Sequence, residues 1–324
     1  MSSAGVALLL VALLAAPHLL RQERLAATSG VALWASSLFL RAAISILLAL
    51  IAILFLPATD LFNLLTHWCL HAVVPFFANH LGFNGHRLGD AAVIVPALVI
   101  AASSLSVGFG LWRGARAVRR LLRRSSIGPG PASSIIVADS DIVVAAAGIR
   151  APKVIVSAGA LLHLDDAELE AGLQHEWGHV RRYHRYISAI AEICGALARP
   201  VPGTRYAVST LRMHLERDAD DYAVRQTGDS LALASAICKV AQGKPKPGNP
   251  AVASLGGSGV AARLQRLIGN PDSTNAHLHA VLAGSLTTSM VMVTLGLLAA
   301  APTLGSVGAE QAQRGGMDRA MNCA

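Results

Sequence analysis

Charged side chains are scarce in this chain. Asp, Glu, Lys and Arg together make up 14% of its 324 residues, and aromatic residues 5%. Soluble domains carry about a quarter charged residues, so the composition excludes an ordinary water-soluble enzyme. Acidic residues are the rarer sign, 19 against 27 basic, which leaves a formal net charge of +8. The basic surplus does not point to nucleic acid, because it clusters beside apolar runs. Arg113, Arg116, Arg119, Arg120, Arg123 and Arg124 directly follow one of them, a pattern of membrane topology and anionic lipid. Cysteine is scarce too. Cys69, Cys194, Cys238 and Cys323 show no C-x-x-C spacing, so neither a disulfide framework nor a cysteine zinc site is indicated. What the chain has in quantity is apolar surface: 53% hydrophobic residues and a mean hydropathy of +0.51, much of it in long runs.

Those runs predict about four transmembrane helices. Residues 5–20 form the first. A cleaved leader is the competing reading, but no basic residue precedes the run, whereas Arg21 and Arg24 follow it. Residues 31–56 form the second, with Arg41 its one ionisable residue, expected to snorkel or to face other helices. Residues 58–88 mix histidines with aromatics, among them His67, Trp68, His71, Phe76 and Phe77, and suggest an interfacial or re-entrant segment. His67 and His71 are four apart without an acidic partner and are taken as interfacial. Residues 91–112 form the third span and 280–304 the fourth, followed by a short polar tail, 305–324. The arginine block after Trp112 orients the third span from outside to inside, so residues 113–279 are expected in the cytoplasm and the protein in the cell membrane, multi-pass.

Within 113–279 the breaker cluster Gly128-Pro129-Gly130-Pro131 opens the domain. Short β-rich pieces follow at Ser134–Ala138, Ile142–Ala146 and Val154–Ser157. The last is expected to offer an edge for an extended substrate. Asp165 and Asp166 then start a helix, with acids at its positive end.

That helix carries His175-Glu176-Trp177-Gly178-His179. Histidines four apart share one helix face, where both imidazoles reach one tetrahedral zinc. The glutamate beside the first can act as base on a water at that metal. Chance supplies such a pattern often enough that a third ligand is needed, and Glu216 meets the need from a second helix. Leu211, Leu215, Ala219 and Ala223 form one stripe of that helix, with Glu216 and Asp220 together on a neighbouring face. Two histidines and a glutamate leave the fourth position open, as a catalytic rather than a structural zinc site requires. Asp220 is placed to accept the second N–H of a ligating histidine. His184 is off the register of the pair and is rejected as a ligand. Tyr222, Arg263 and His214 are the candidates for stabilising an oxyanion. The stretch Tyr186–Leu197 suits a core helix or one dipping into the inner leaflet.

On these residues the chain resembles the BlaR/MecR-type membrane zinc metallopeptidases. The similarity takes in the preceding spans, Pro152, Val154–Leu162, Leu173–Arg185 around HExxH, and Glu216–Ala223 as the ExxxD helix. It covers most of residues 90–304. Both zinc motifs are shared with a sister group, the Ste24/HtpX-type peptidases, while the layout of spans favours BlaR/MecR. The resemblance implies a mainly α membrane protein with a cytoplasmic α+β gluzincin-type domain. It also implies one Zn2+ per chain on His175, His179 and Glu216, with Glu176 as base and Asp220 in support.

The expected activity is zinc-dependent endoproteolysis of a protein or peptide substrate, with a cytoplasmic transcriptional repressor as the family's model. The best-known members carry an extracellular penicillin-binding domain after the last span. The short tail departs from that pattern, so a signal is expected to enter through the spans, the 58–88 segment, a sensor partner or a homo-oligomer. Two other readings stand beside this one: an Ste24/HtpX-type quality-control protease, and a non-enzymatic membrane signalling or scaffold protein with a vestigial zinc site.

Overall fold

A computed structural model of the chain describes residues 3–55, 126–147, 152–242, 259–269 and 276–322, with scattered helical positions between 101 and 116. The 58–88 segment and most of the 91–112 run lie outside the described residues. By its internal contacts the chain divides into two units: Met1–Ser37 with Gly108–Glu192 and Arg205–Thr288, and Leu38–Val107 with Ile193–Thr204 and Ser289–Ala324.

In the first unit a four-stranded sheet runs β1 (Ser126–Pro129), β2 (Ile135–Val137), β3 (Val144–Ala147) and β4 (Lys153–Ser157), in spatial order β1-β2-β4-β3. β2 and β4 are parallel, with Ile135 opposite Ile155, and the outer pairs are antiparallel. The Gly-Pro cluster was expected to break the chain, and half of it does: Gly128 and Pro129 end β1, an edge strand where a proline withholds no N–H that the sheet needs, while Gly130 and Pro131 turn the chain toward β2. A second expectation fails. Val154–Ser157 was expected at an edge, but β4 lies inside the sheet, and the free edge beside the zinc motif belongs to β3. The β-branched run of β4, buried at Val154, Ile155 and Val156, suits an interior strand covered on both faces.

Ser157 ends the sheet and starts helix α3 (Ala158–His163). Its Oγ accepts from Ala160 N–H at 3.0 Å and from Val143 N–H at 2.9 Å, and donates to Asp141 C=O at 2.6 Å. Asp165 caps the next helix, α4 (Asp166–Arg181), in a reciprocal capping box with Glu168. After α5 (His184–Leu197) come the long α6 (Thr204–Thr227), α7 (Ser230–Gln242) and α8 (Val260–Ile268). Val144, Val154 and Val156 pack with Leu173 of α4, Ala223 of α6 and Leu233 and Ile237 of α7, with Leu264 of α8 at the margin. Each large aliphatic side chain buried there contributes about 1.5–3 kcal/mol, so this core fixes α4, and with it the motif, against the sheet.

Helices α1 (Ser3–Leu19) and α2 (Ala27–Phe55) begin the chain, and α9 (Ala276–Asn322) ends the described part. Among the described residues two segments are long and apolar enough to cross a membrane, Ala27–Ile51 and His277–Ala300, against the four spans expected. The 5–20 run forms α1, whose 17 residues extend only about 25 Å at 1.5 Å each, short of the roughly 30 Å hydrocarbon layer. The tail read as a separate polar segment, 305–324, is helical through Asn322 and continues α9. Along α9, Leu278, Leu282, Val291, Leu295 and Leu298 are exposed, the surface a helix presents to lipid rather than to water. Arg41 of α2 is buried, in keeping with a side chain that faces other helices. In the second unit Ser45 Oγ of α2 donates to Leu197 C=O at the end of α5, at 2.7 Å.

Candidate metal centre

Gly178 lets the two motif helices meet. A Cβ at this position would lie 3.2 Å from Tyr222 Cβ and 3.3 Å from Ala219 Cα, so a side chain there would push α6 away from α4. With α6 this close, Glu216 reaches the two histidines of α4. His175 Nε2 and His179 Nε2 lie 3.2 Å apart, and each is 3.6 Å from a carboxylate oxygen of Glu216. Zinc bonds of about 2.0–2.1 Å set neighbouring ligand atoms of a tetrahedron roughly 3.4 Å apart, close to these separations. Among the described residues this is the one group of three or more His, Cys, Asp or Glu side chains that converge in this way.

The far sides of both imidazoles explain why the arrangement suits a cation. His175 Nδ1 lies 2.9 Å from Asp220 Oδ1, and His179 Nδ1 lies 2.9 Å from His184 Nδ1. In the tautomers that place each N–H on Nδ1, both Nε2 lone pairs and the carboxylate of Glu216 would face one another. Only a shared proton or a metal ion relieves that repulsion. The electrostatics carry the same signature. Burial opposes protonation of His175, but hydrogen bonds to Asp220 and Glu216 outweigh it and lift the imidazole to about 9. Burial, together with the charge of His175, drops His179 to about 3. Glu216 and Asp220 are held below the usual carboxylate range against their burial, Glu216 by the two histidines and Asp220 by Arg263 and His175.

Two buried relays back the donors. Arg263 of α8 donates through Nε and Nη2 to the two oxygens of Asp220, at 2.9 and 2.6 Å, and its Nη1 lies 3.2 Å from Glu216 Oε2. Arg266, one turn on, holds Asp221 at 2.8 Å, so α8 is clamped to α6 by two arginines. Behind His179, His184 Nε2 lies 3.0 Å from Asp218 Oδ2, and Asp218 also takes Arg182. Tyr183 makes this second relay possible. Its φ of 59° is a left-handed conformation unusual for a tyrosine, and it turns the chain between α4 and α5 so that His184 folds back beside His179. His184 lies beside His179 Nδ1 and outside the converging group of His175, His179 and Glu216.

Glu176, 1% exposed, accepts a hydrogen bond through Oε2 from the backbone N–H of Ala146 on β3, at 2.7 Å. Of the three candidates for oxyanion stabilisation, Arg263 contacts the cluster through Glu216. Tyr222 packs on Gly178 with Arg182 over its ring at 5.7 Å. His214 points to another side of α6, toward Gln22 of the α1–α2 turn, at 3.1 Å. Sequence reasoning missed His184, Asp218, Arg182 and the Ala146 N–H. Asp218 stood in plain view between Glu216 and Asp220, but nothing in helical spacing pairs it with a residue on α5.

Two histidines and a glutamate from a pair of packed helices, with a further glutamate adjoining the first histidine, define the site as metallopeptidase-like. The family comparison agrees: residues 114–201, a segment that includes the HExxH helix, match the model of peptidase family M48. Glu216 and Asp220 lie beyond the matched residues. No curated protein and no solved structure matches the chain.

Proposed function

We propose that the protein is a membrane-bound zinc endopeptidase of the Ste24/HtpX type, acting on protein substrates at or beside the membrane. The observation that carries this reading is the converging His175, His179 and Glu216 set, with Glu176 held at the free edge of a sheet. The M48 match supports the Ste24/HtpX-type alternative over the BlaR/MecR-type reading. The long apolar segments of α2 and α9 support a place in the cell membrane, and the arginine block after Trp112 supports a cytoplasmic catalytic face.

His175, His179 and Glu216 would hold one zinc ion per chain. Bound there, zinc supplies a Lewis acid for the scissile carbonyl and lowers the pKa of water. Glu176 takes a proton from the attacking water as its oxygen bonds to the carbonyl carbon. It returns that proton to the amide nitrogen as the C–N bond breaks. An extended substrate adds to β3, the edge strand that touches Glu176, rather than to β4. Asp220 and His184 keep each ligating imidazole in the tautomer that turns Nε2 inward.

The span layout, with α9 following the zinc domain, favours a second reading in which the substrate is a cytoplasmic repressor. Purified Glu176→Gln protein should retain zinc and lose proteolysis by about 10²–10⁴-fold; undiminished cleavage would sink the mechanism. Comparing membrane and soluble proteomes of cells carrying wild-type or E176Q protein separates the substrate classes. Many accumulating membrane proteins support quality control, and one accumulating repressor supports signalling. Unchanged proteomes with zinc retained support a scaffold.

A further inference from the structure

The turn between α1 and α2 is bound to the helix that carries Glu216. Arg217, next in sequence and 6% exposed, donates through Nη1 to Gln22 C=O at 2.7 Å, and through Nη2 to Glu23 C=O at 3.2 Å and Leu25 C=O at 3.1 Å. A buried guanidinium spent on three backbone carbonyls orders that turn around its own rigid fork. His214, fully buried three residues earlier, meets Gln22 Oε1 at 3.1 Å. The same oxygen accepts from Trp34 Nε1 at 2.8 Å, while the Gln22 amide donates to Pro17 C=O and Leu20 C=O at 2.9 Å each. Every hydrogen-bonding position of the Gln22 amide is thereby engaged. On α2, Gly30 lies against the ring of His214, so closely that a Cβ would fall 2.2 Å from Nδ1.

These contacts fix a rotation. Successive helix residues turn by about 100°, which places Arg217 about 100° and His214 about 160° round α6 from Glu216. A helix gripped on those two sides cannot roll about its axis, and rolling is the motion that would carry Glu216 away from the two histidines. The turn also connects directly to α2, whose segment Ala27–Ile51 is long and apolar enough to span a membrane.

We propose that the α1–α2 turn is a working part of the metal centre. Through Arg217, His214 and Gly30 it sets the rotation of α6, and a displacement of the α1–α2 pair is read at Glu216 as a change in metal affinity. The inference rests on the metal-site reading above. Arg217 and Gly30 are positioning residues and touch neither metal nor substrate.

The test uses the full chain in detergent or nanodiscs, with zinc affinity measured by competition with a chromogenic chelator and thermal unfolding followed in parallel. Arg217→Ala and Gly30→Ala should each weaken zinc binding by about 10–100-fold, the range seen when groups supporting a ligand are removed. Arg217→Lys should recover only part of the loss, because one ammonium cannot bridge three carbonyls. Ile155→Ala, in the separate small cluster that Ile155 forms with Val137 and Ala147 away from the motif helix, should lower the unfolding temperature and leave zinc affinity near wild type. Wild-type affinity in both R217A and G30A overturns the inference, as does an equal loss in I155A. A wild-type chain that binds no zinc overturns the metal-site reading itself, and this inference with it.

Discussion

The backbone N–H of Ala146 donates to Oε2 of Glu176 at 2.7 Å. The proposed base and the free edge of a sheet are thereby one unit, and the strand that would receive a substrate also orients the carboxylate that would activate water. Ala146→Pro removes that donor from an edge position, where the sheet tolerates proline. A hydrogen bond to a charged group is worth about 1.5–3 kcal/mol, so cleavage of an unfolded reporter protein should fall by roughly 10–100-fold. Zinc content, measured by metal analysis, should stay at the wild-type level.

His184 joins His179 to Asp218. His184→Ala should leave His179 free to rotate and weaken zinc binding by about 10–100-fold, read by chelator competition. Asp218→Asn keeps the shape but removes the acceptor that orients His184, and a smaller loss is expected. If His184 were a fourth ligand, its removal would instead strip the metal from the protein altogether.

Arg263 is buried with Asp220, and the pair does not survive the loss of one partner cheaply. Arg263→Met leaves the carboxylate of Asp220 without its guanidinium, a change that costs about 3–5 kcal/mol for a buried pair. The unfolding temperature of the protein in detergent should drop accordingly. Arg263→Lys keeps the charge without the fork and should fall between the two.

Glu168 links the start of α4 to α7. Its burial disfavours charge, but Lys239 Nζ and Ser235 Oγ, each at 2.5 Å, and the Asp165 N–H hold the carboxyl below its ordinary range. The folded pKa lies below the unfolded one, so this stabilisation is complete above the ordinary glutamate pKa of about 4.3 and is lost as pH falls through the lower folded value. Lys239→Met should therefore destabilise the protein at pH 7. The gap to wild type should shrink below about pH 4, as measured by unfolding temperature across a pH series.

The spacing of His175, Glu176 and His179, the acidic start of α4 and the i, i+4 placement of Glu216 and Asp220 were legible because helical periodicity is local and short. The same locality explains the errors. Gly128 and Pro129 look like breakers until β2 supplies a partner that lets them lie as an edge strand. Val154–Ser157 has the composition of any strand, and whether it is inner or outer depends on where β3 returns. His214 shared a helix with Glu216, so sequence alone offered it as a catalytic group, whereas the fold turns it toward Gln22. The four spans were read from hydropathy, which registers length and composition, and two of them are matched by helices of sufficient length among the described residues.

By itself the sequence determined the chemical inventory: a charge-poor, apolar chain with two histidines and two glutamates at helical spacings. Only the tertiary structure decided which further groups act on that inventory. His184 reaches His179 through a left-handed turn at Tyr183, Ala146 reaches Glu176 across 30 residues of chain, and Arg217 reaches the carbonyls of Gln22, Glu23 and Leu25 from almost 200 residues away. The physical reason is that ligand spacing is written in the pitch of a helix. The hydrogen bonds that orient those ligands depend on which helices pack together, and no local pattern encodes that.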